Sequence, residues 1–562
     1  MILALLVPAL LHATAPADSL PPLLPGLGTY AREIATSSPR AQRYFDQGLA
    51  LLYGFNHAEA LRAFQAAAAM DTAAPMPYVG MALAHGPYVD RARNPASDRA
   101  ARQALEGATA RAAAGTATER GLIAALVARY DSTRAVPEAE SAYAEAMGRL
   151  QARYPRDPDL ATLHGEARML LHRRRYWRPD HTPAPGIEQG RSALEAAMAL
   201  AADHPGAHHL YVHLFEAAHD PRPALPAAER LRTLAPGAGH LLHMSSHVFF
   251  RVGRYAESVE ANVRAREADR RYFALARPPA TSVYVSAYHA HTLHFLWVAL
   301  ATEGRRREAL EAADSLAARV APAAADASPY FHPWTSAPLL VHLRFGDWAE
   351  ILRAPAPPPR HAYSTGVWRH ARGMAHAELG SLDSAAVSLG ALDSITAAFP
   401  PGTTVAPTAP GRGILRLMHL SLGARIAEAR GDVPAALAQL REGVALQDSL
   451  GHMEPPGWHI PLRQTLGATL LRAGRAREAE AAFTEDLAMQ PGNGWSLCGL
   501  AAALQRQGRR AEAARAHASL RRAWSRADAP ASCAFPAMPI AARRADVYHV
   551  RRKSHFPHPP LP

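Results

Sequence analysis

Lysine is almost missing from this chain: Lys553 is the only one among 61 basic residues, and cysteine occurs twice, as Cys498 and Cys533. Two cysteines exclude a CxxC zinc site and a disulfide framework, leaving room for a single bridge between them in an oxidising compartment. The scarcity of lysine also tempers the net charge of +12. Arginines scattered through an Ala- and Pro-rich chain read as the codon bias of a GC-rich genome, not as a phosphate-reading surface, so no nucleic-acid partner is expected. Long hydrophobic runs are lacking too. The apolar stretch of residues 2–11 falls short of the roughly 20 residues of a spanning helix, and no later stretch is apolar enough. That stretch is followed by Ala13, Ala15 and Ala17, spaced as a signal peptidase site needs, although an early Lys or Arg is missing. Residues 1–17 therefore read as a signal peptide, and the protein as exported, periplasmic or extracellular. Also absent are a GxSxG elbow, a Walker loop, an HExxH pair and a dinucleotide fingerprint; Ser245 and Ser246 sit among histidines but on no nucleophile elbow.

What is present is repetition. The chain has 562 residues, 49% hydrophobic and 20% charged, enough for several cores or one long array. Gly474 and Gly508 stand 34 residues apart, as do Ala479 and Ala513. Gly48, Ala60, Phe64 and Ala67 fall at spacings that let two antiparallel helices pack closely, and Gly-then-Ala turns recur at "RVGRYAES", "TEGRRREALEAA", "ELGSLDSAA" and "ARGDVPAAL". These residues resemble the tetratricopeptide repeat superfamily, over roughly residues 39–524 and most specifically in the two C-terminal repeats. The resemblance implies an all-α solenoid of stacked antiparallel helix pairs, each burying its face on its neighbours. Between Gly253 and Gly304 the spacing is 51, so "RYFALARPPATSVYVS" reads as an inserted loop. The organisation expected is a signal peptide (1–17), a leader (18–38), N-terminal repeats (39–154), central repeats (155–322), C-terminal repeats (323–528) and a tail (529–562).

The central repeats carry the unusual feature. Measured back from its Gly253 turn, the helix beginning near Gly239 places His240, His243 and His247 at its second, fifth and ninth positions, all in one sector at about 100° per residue. The preceding unit puts His209, His213 and Glu216 at the fifth, ninth and twelfth positions of its first helix. In the following unit His291 and His294 take the second and fifth. In the superfamily those positions line the concave groove, so the resemblance implies seven imidazoles and one carboxylate in a shared groove. Neutral imidazole is the commonest side-chain ligand for a transition metal, and three or four donors make a site for Zn, Cu, Ni or Fe. One or two ions fit this inventory, with Glu216 as ligand or proton carrier.

Other candidates carry less. His57 in a helix turn reads as a cap, His85 as a helix-end charge, and His332, His452 and His459 as loop residues without partners. Arg251 is within reach of Glu216 but reads as a solvated surface residue. Tyr211, Phe249, Phe250, Phe295 and Trp297 read as inter-repeat core. Two functions from different classes follow: a metal-binding protein, catalytic or not, or a non-catalytic scaffold whose groove takes a protein or peptide partner without metal.

Overall fold

The computed structural model describes residues 20–405 and 408–528. The leader of residues 1–17, the tail and Cys533 lie outside the described residues. Among the described residues, twenty-six α-helices, numbered in chain order, run from α1 (Pro39–Tyr53) to α26 (Arg510–Ala523), interrupted by one two-stranded ladder of Thr404–Val405 with Ala409–Pro410. Successive helices pack in pairs and each pair stacks on the next. The fold is a tetratricopeptide-like solenoid.

Small residues make the close stacking possible, and the same device operates at both ends. Phe64 of α2 (His57–Met70) lies between Gly48 of α1 and Gly80 of α3 (Met76–His85), where an added Cβ would stand 2.5 Å and 2.6 Å from the ring. Phe483 of α24 (Ala476–Met489) lies likewise between Gly467 of α23 (Leu462–Arg472) and Gly499 of α25 (Gly494–Arg506), at 2.6 Å and 2.2 Å. Any side chain at these glycines would force the helices apart.

The central first helices are α9 (Pro205–Glu216), α11 (Gly239–Arg251) and α13 (His289–Thr302), with α10 (Leu225–Leu234), α12 (Tyr255–Ala276) and α14 (Arg306–Ala317) as their partners. The stretch expected as an inserted loop is mostly helical. Residues 271–276 lengthen α12, which stops at Arg277 in the left-handed region (φ 48°), and a π-helical turn, Tyr284–Tyr288, leads directly into α13. Such turns widen a helix locally and recur at functional sites.

The array winds back on itself. The indole Nε1 groups of Trp495 and Trp524 donate to the Ala301 and Thr302 carbonyls at the end of α13, both at 3.0 Å. From the other end, the Tyr288 hydroxyl meets that of Tyr88 at 3.0 Å. Arg174 Nη1 donates to Glu454 at 2.7 Å across 280 residues of sequence. First and last repeats thus enclose the central ones. Among the described residues no helix is long and apolar enough to cross a membrane.

Candidate metal centre

Because α9, α11 and α13 are neighbouring first helices, rings that share a stripe on each are brought face to face. The stripe does not line an open groove. His209 and His243 are fully buried, and His213, His240, His247 and His294 are at most 3% exposed. The inward winding of the end repeats closes the concave side over them.

Two triads result. The ligand nitrogens of His209, His213 and His240 all lie within 4.8 Å of one another, and so do those of His243, His247 and His291. In the first triad, His209 Nδ1–H donates to the Tyr53 carbonyl at 2.6 Å, and His213 Nδ1–H to Glu216 Oε1 at 2.9 Å. Each ring's Nε2 is then left as a lone pair, and neither has a partner; both ring nitrogens of His240 are also unpartnered. In the second, His243 Nδ1–H donates to Asn262 Oδ1 at 2.6 Å, while Asn262 donates to the Ser258 carbonyl at 2.8 Å, which fixes which end of the amide faces the ring. His247 Nδ1–H lies between Glu216 Oε2 at 2.7 Å and Glu454 Oε2 at 2.8 Å, and the Nε2 atoms of His243 and His247 are 2.9 Å apart. His291 Nδ1 has no partner.

Outer partners of this kind are what metal-binding imidazoles use to hold ring orientation and tautomer. An ion about 2.0–2.1 Å from each nitrogen needs donors about 3–4 Å apart, a spacing that nitrogens within 4.8 Å of one another reach by small ring movements. Each triad is also roofed by one phenyl ring. Phe55 contacts His209, His213 and His240 at centroid distances of 4.2, 5.5 and 5.4 Å. Phe295, expected as plain core, contacts His243, His247 and His291 at 5.2, 4.5 and 5.2 Å.

The electrostatics suit neutral imidazole. Burial, followed by the neighbouring rings, pushes His240 and His291 well below the usual histidine range, and burial is also the largest cause for His209 and His243. His247 is the exception. Burial works against its charge, but the Glu454 and Glu216 carboxylates outweigh that and raise it to about 9. Burial would likewise raise Glu454, yet His247 and Arg174 hold it well below the ordinary carboxylate range.

Glu216, expected as a ligand or proton carrier, has both oxygens engaged with ring Nδ1 atoms, one in each triad. Glu216, His247 and Glu454 also bring donor atoms within 4.8 Å, but that grouping is made by these hydrogen bonds. The structure does not bring His294 into either triad. Its Nδ1 accepts from Trp334 at 3.3 Å and its Nε2 faces His459 Nε2 at 3.5 Å. Arg251 is not solvated: it donates to the Glu216 and Ala218 carbonyls at the end of α9. His57 is half-buried, its ring stacked on Tyr88 at 4.0 Å with both nitrogens shielded.

Glu454 is the residue sequence reasoning missed, and His459, expected to have no partner, faces His294 at 3.5 Å. Both lie in "GHMEPPGWH", whose His452 also reaches Glu454 at 3.4 Å. The signal available was an acid between two histidines in a proline-stiffened loop. Asp90 is a further addition, accepting from Arg174 at 2.5 Å and from Tyr288 at 3.0 Å.

No family model and no curated protein matches the chain. Solved structures similar to it include a human IFIT1 dimer with m7Gppp-AAAA, at 13% identity, covering 76% of this chain and 87% of that one, with a TM-score of 0.33. Another is Naa15/Naa10 bound to HypK-THB, at 13% identity, covering 86% and 70%, with a TM-score of 0.22. The APC/C hetero-tetramer Cut9-Hcn1 is 12% identical, covering 87% and 97%, with a TM-score of 0.24. Likenesses of this size have no bearing on the ligands of this chain.

Proposed function

We propose that this solenoid binds a late first-row transition metal, Cu, Zn, Ni or Fe, in the buried imidazole array between α9, α11 and α13. The observation that carries the reading is the convergence of orphaned nitrogens. Each buried polar atom without a partner costs about 1–3 kcal/mol, and His209 Nε2, His213 Nε2, both nitrogens of His240 and His291 Nδ1 lack one among the described residues. A fold that wanted only packing has apolar side chains for these places. A bound ion satisfies these atoms together; Tyr53 and Glu216 already turn the rings of His209 and His213 so that Nε2 is the free donor, and Asn262 turns that of His243 so that its Nε2 faces His247. In the same reading residues 1–17 take the protein out of the cytoplasm, where cell fractionation would find it.

Elemental analysis of protein purified without chelator or a histidine tag tests the metal reading, beside a His243→Ala/His247→Ala variant whose helicity is checked by circular dichroism. Metal in the wild type, reduced in the folded variant, is the expected result. Protein that stays metal-free when Cu, Zn, Ni and Fe are each offered would sink it and leave an interaction scaffold.

A further inference from the structure

Resting on that reading, we infer that the two triads are two separate ion sites, generated by the same ligand register in consecutive repeats and joined through Glu216. His209 and His213 take the fifth and ninth positions of α9, and the second position of the next first helix supplies His240. One repeat later, His243 and His247 take the fifth and ninth positions of α11, and the following first helix supplies His291, thirteen residues before its Gly304 turn as His240 is before Gly253. The rule is an i, i+4 pair on one helix completed by one ring from the next, used twice.

The array has a defined start and stop. Upstream, the second position of α9 is Gly206, where an added Cβ would stand 2.3 Å from the Tyr53 ring, so no further imidazole fits there. Downstream, His294 stands ten residues before the Gly304 turn, as His243 does before Gly253, but the residue matching His247 is Val298, so the pair is broken and His294 turns to Trp334 instead.

The triads are two ligand sets: among the described residues no group of three donors within 4.8 Å of one another draws rings from both, and each has its own phenyl roof. The rings between sets stand at 5.7 Å (His240 with His243) and 6.3 Å (His213 with His247) between centroids. Two cations this near repel, and a shared anion in the second layer offsets part of that repulsion. Glu216 stands behind both sites, with Oε1 on His213 Nδ1 and Oε2 on His247 Nδ1, so its one negative charge acts on both through the rings. Three imidazoles per ion, with no thiolate, select a borderline late first-row ion over Mg or Ca, and Cu2+ binds such donors most tightly of the divalent series.

Stripped full-length protein would be loaded with Zn2+ or Cu2+ and desalted, and metal counted per chain, with helicity monitored. Two ions are expected in the wild type, one in His240→Gln, one in His291→Gln and none in the double variant. Glu216→Gln should weaken both sites by roughly 10–100-fold. A single ion in the wild type overturns the two-site inference while leaving the metal reading intact, and no ion overturns both. Loss of both ions from a folded single variant also overturns it. Should a variant fail to fold, electron paramagnetic resonance of the copper-loaded wild type decides alone: a spin-coupled copper pair is expected, and isolated copper signals would refute adjacent sites.

Discussion

Helices α11 and α25 are built alike and filled differently. Each has thirteen residues, opens on a glycine and ends at an arginine. A Cβ at Gly239 would stand 2.1 Å from Asp269 Oδ1, and one at Gly494 would stand 2.0 Å from Trp524 Nε1. The neighbour is a carboxylate in one case and an indole in the other. At the second, fifth and ninth positions α25 carries Trp495, Cys498 and Ala502, the first two buried, whereas α11 buries His240, His243 and His247 there. The same backbone position can therefore close a core or present donors. Nothing in the packing of a repeat asks for imidazole, so the histidines of α11 call for a reason beyond the fold.

The most severe way to separate the two regions acts on the apolar one. Phe483→Ala leaves a cavity between Gly467 and Gly499 and should cost about 3–5 kcal/mol, seen as a lower denaturation midpoint for the C-terminal repeats. Metal content should not change; if it falls, the last repeats, which hold the end of α13 through Trp495 and Trp524, govern the centre more closely than the comparison allows.

A second polar interior, outside the triads, gives the next effect. Asp159 accepts from Tyr53 at 2.6 Å, Tyr30 at 2.8 Å, Arg32 at 2.9 Å and His204 at 3.2 Å, tying residues 20–38 to α9 and to α7 (Pro158–Leu170). Burial alone would raise its carboxyl, but the His204 hydrogen bond, Arg32 and Tyr53 hold it well below the ordinary range. A depressed folded value means the stabilisation is complete above the unfolded value of about 3.9 and is lost as pH falls through the folded one. Asp159→Asn should remove about 1.5–3 kcal/mol. Pepsin should then cut residues 20–38 already at pH 4, where the wild type resists; equal cleavage of the two proteins would show that Asp159 does not hold the segment.

Glu454 sharpens the comparison from the other side. Glu454→Gln removes one of two carboxylates on His247 while leaving Glu216, and should lower the affinity of the second triad by about 10–100-fold, read by competition with a chromophoric chelator. An unchanged affinity would reduce the loop to a structural cover.

How much of this the sequence carries depends on distance along the chain. The helix pairs are legible because Gly-then-Ala turns recur along the chain, 34 residues apart in the last two repeats, and the stripes because three- and four-residue spacings share a helix face. The partition of those stripes into triads is not, since it depends on how far each first helix is shifted against the next. Phe55 and Glu454 escape for a different reason: they arrive from the far turns of a superhelix that winds inward, and no local pattern encodes that curvature. The insert after α12 was misread because Pro278 and Pro279 suggest a loop, while the residues on either side have partners that keep them helical, among them Tyr272 on Glu59 at 3.3 Å and Tyr284 on Asp269 at 2.9 Å.

The smallest effect returns to the two matched helices. Asn493 caps α25, its Oδ1 accepting from Trp495 N–H at 3.0 Å, while the equivalent residue before α11 is Ala238, which offers no cap. At α11 the His240 N–H donates instead to the Tyr284 hydroxyl at 3.1 Å, a group supplied by the π-helical turn. Asn493→Ala should therefore cost about 1 kcal/mol, whereas Ala238→Ser should add little, because the N–H group it would serve has a partner already. Thermal unfolding of the two variants compares them directly. A gain from Ala238→Ser equal to the loss from Asn493→Ala would mean that Tyr284 is not acting as a cap, and that the turn leading into α13 serves only to place His291.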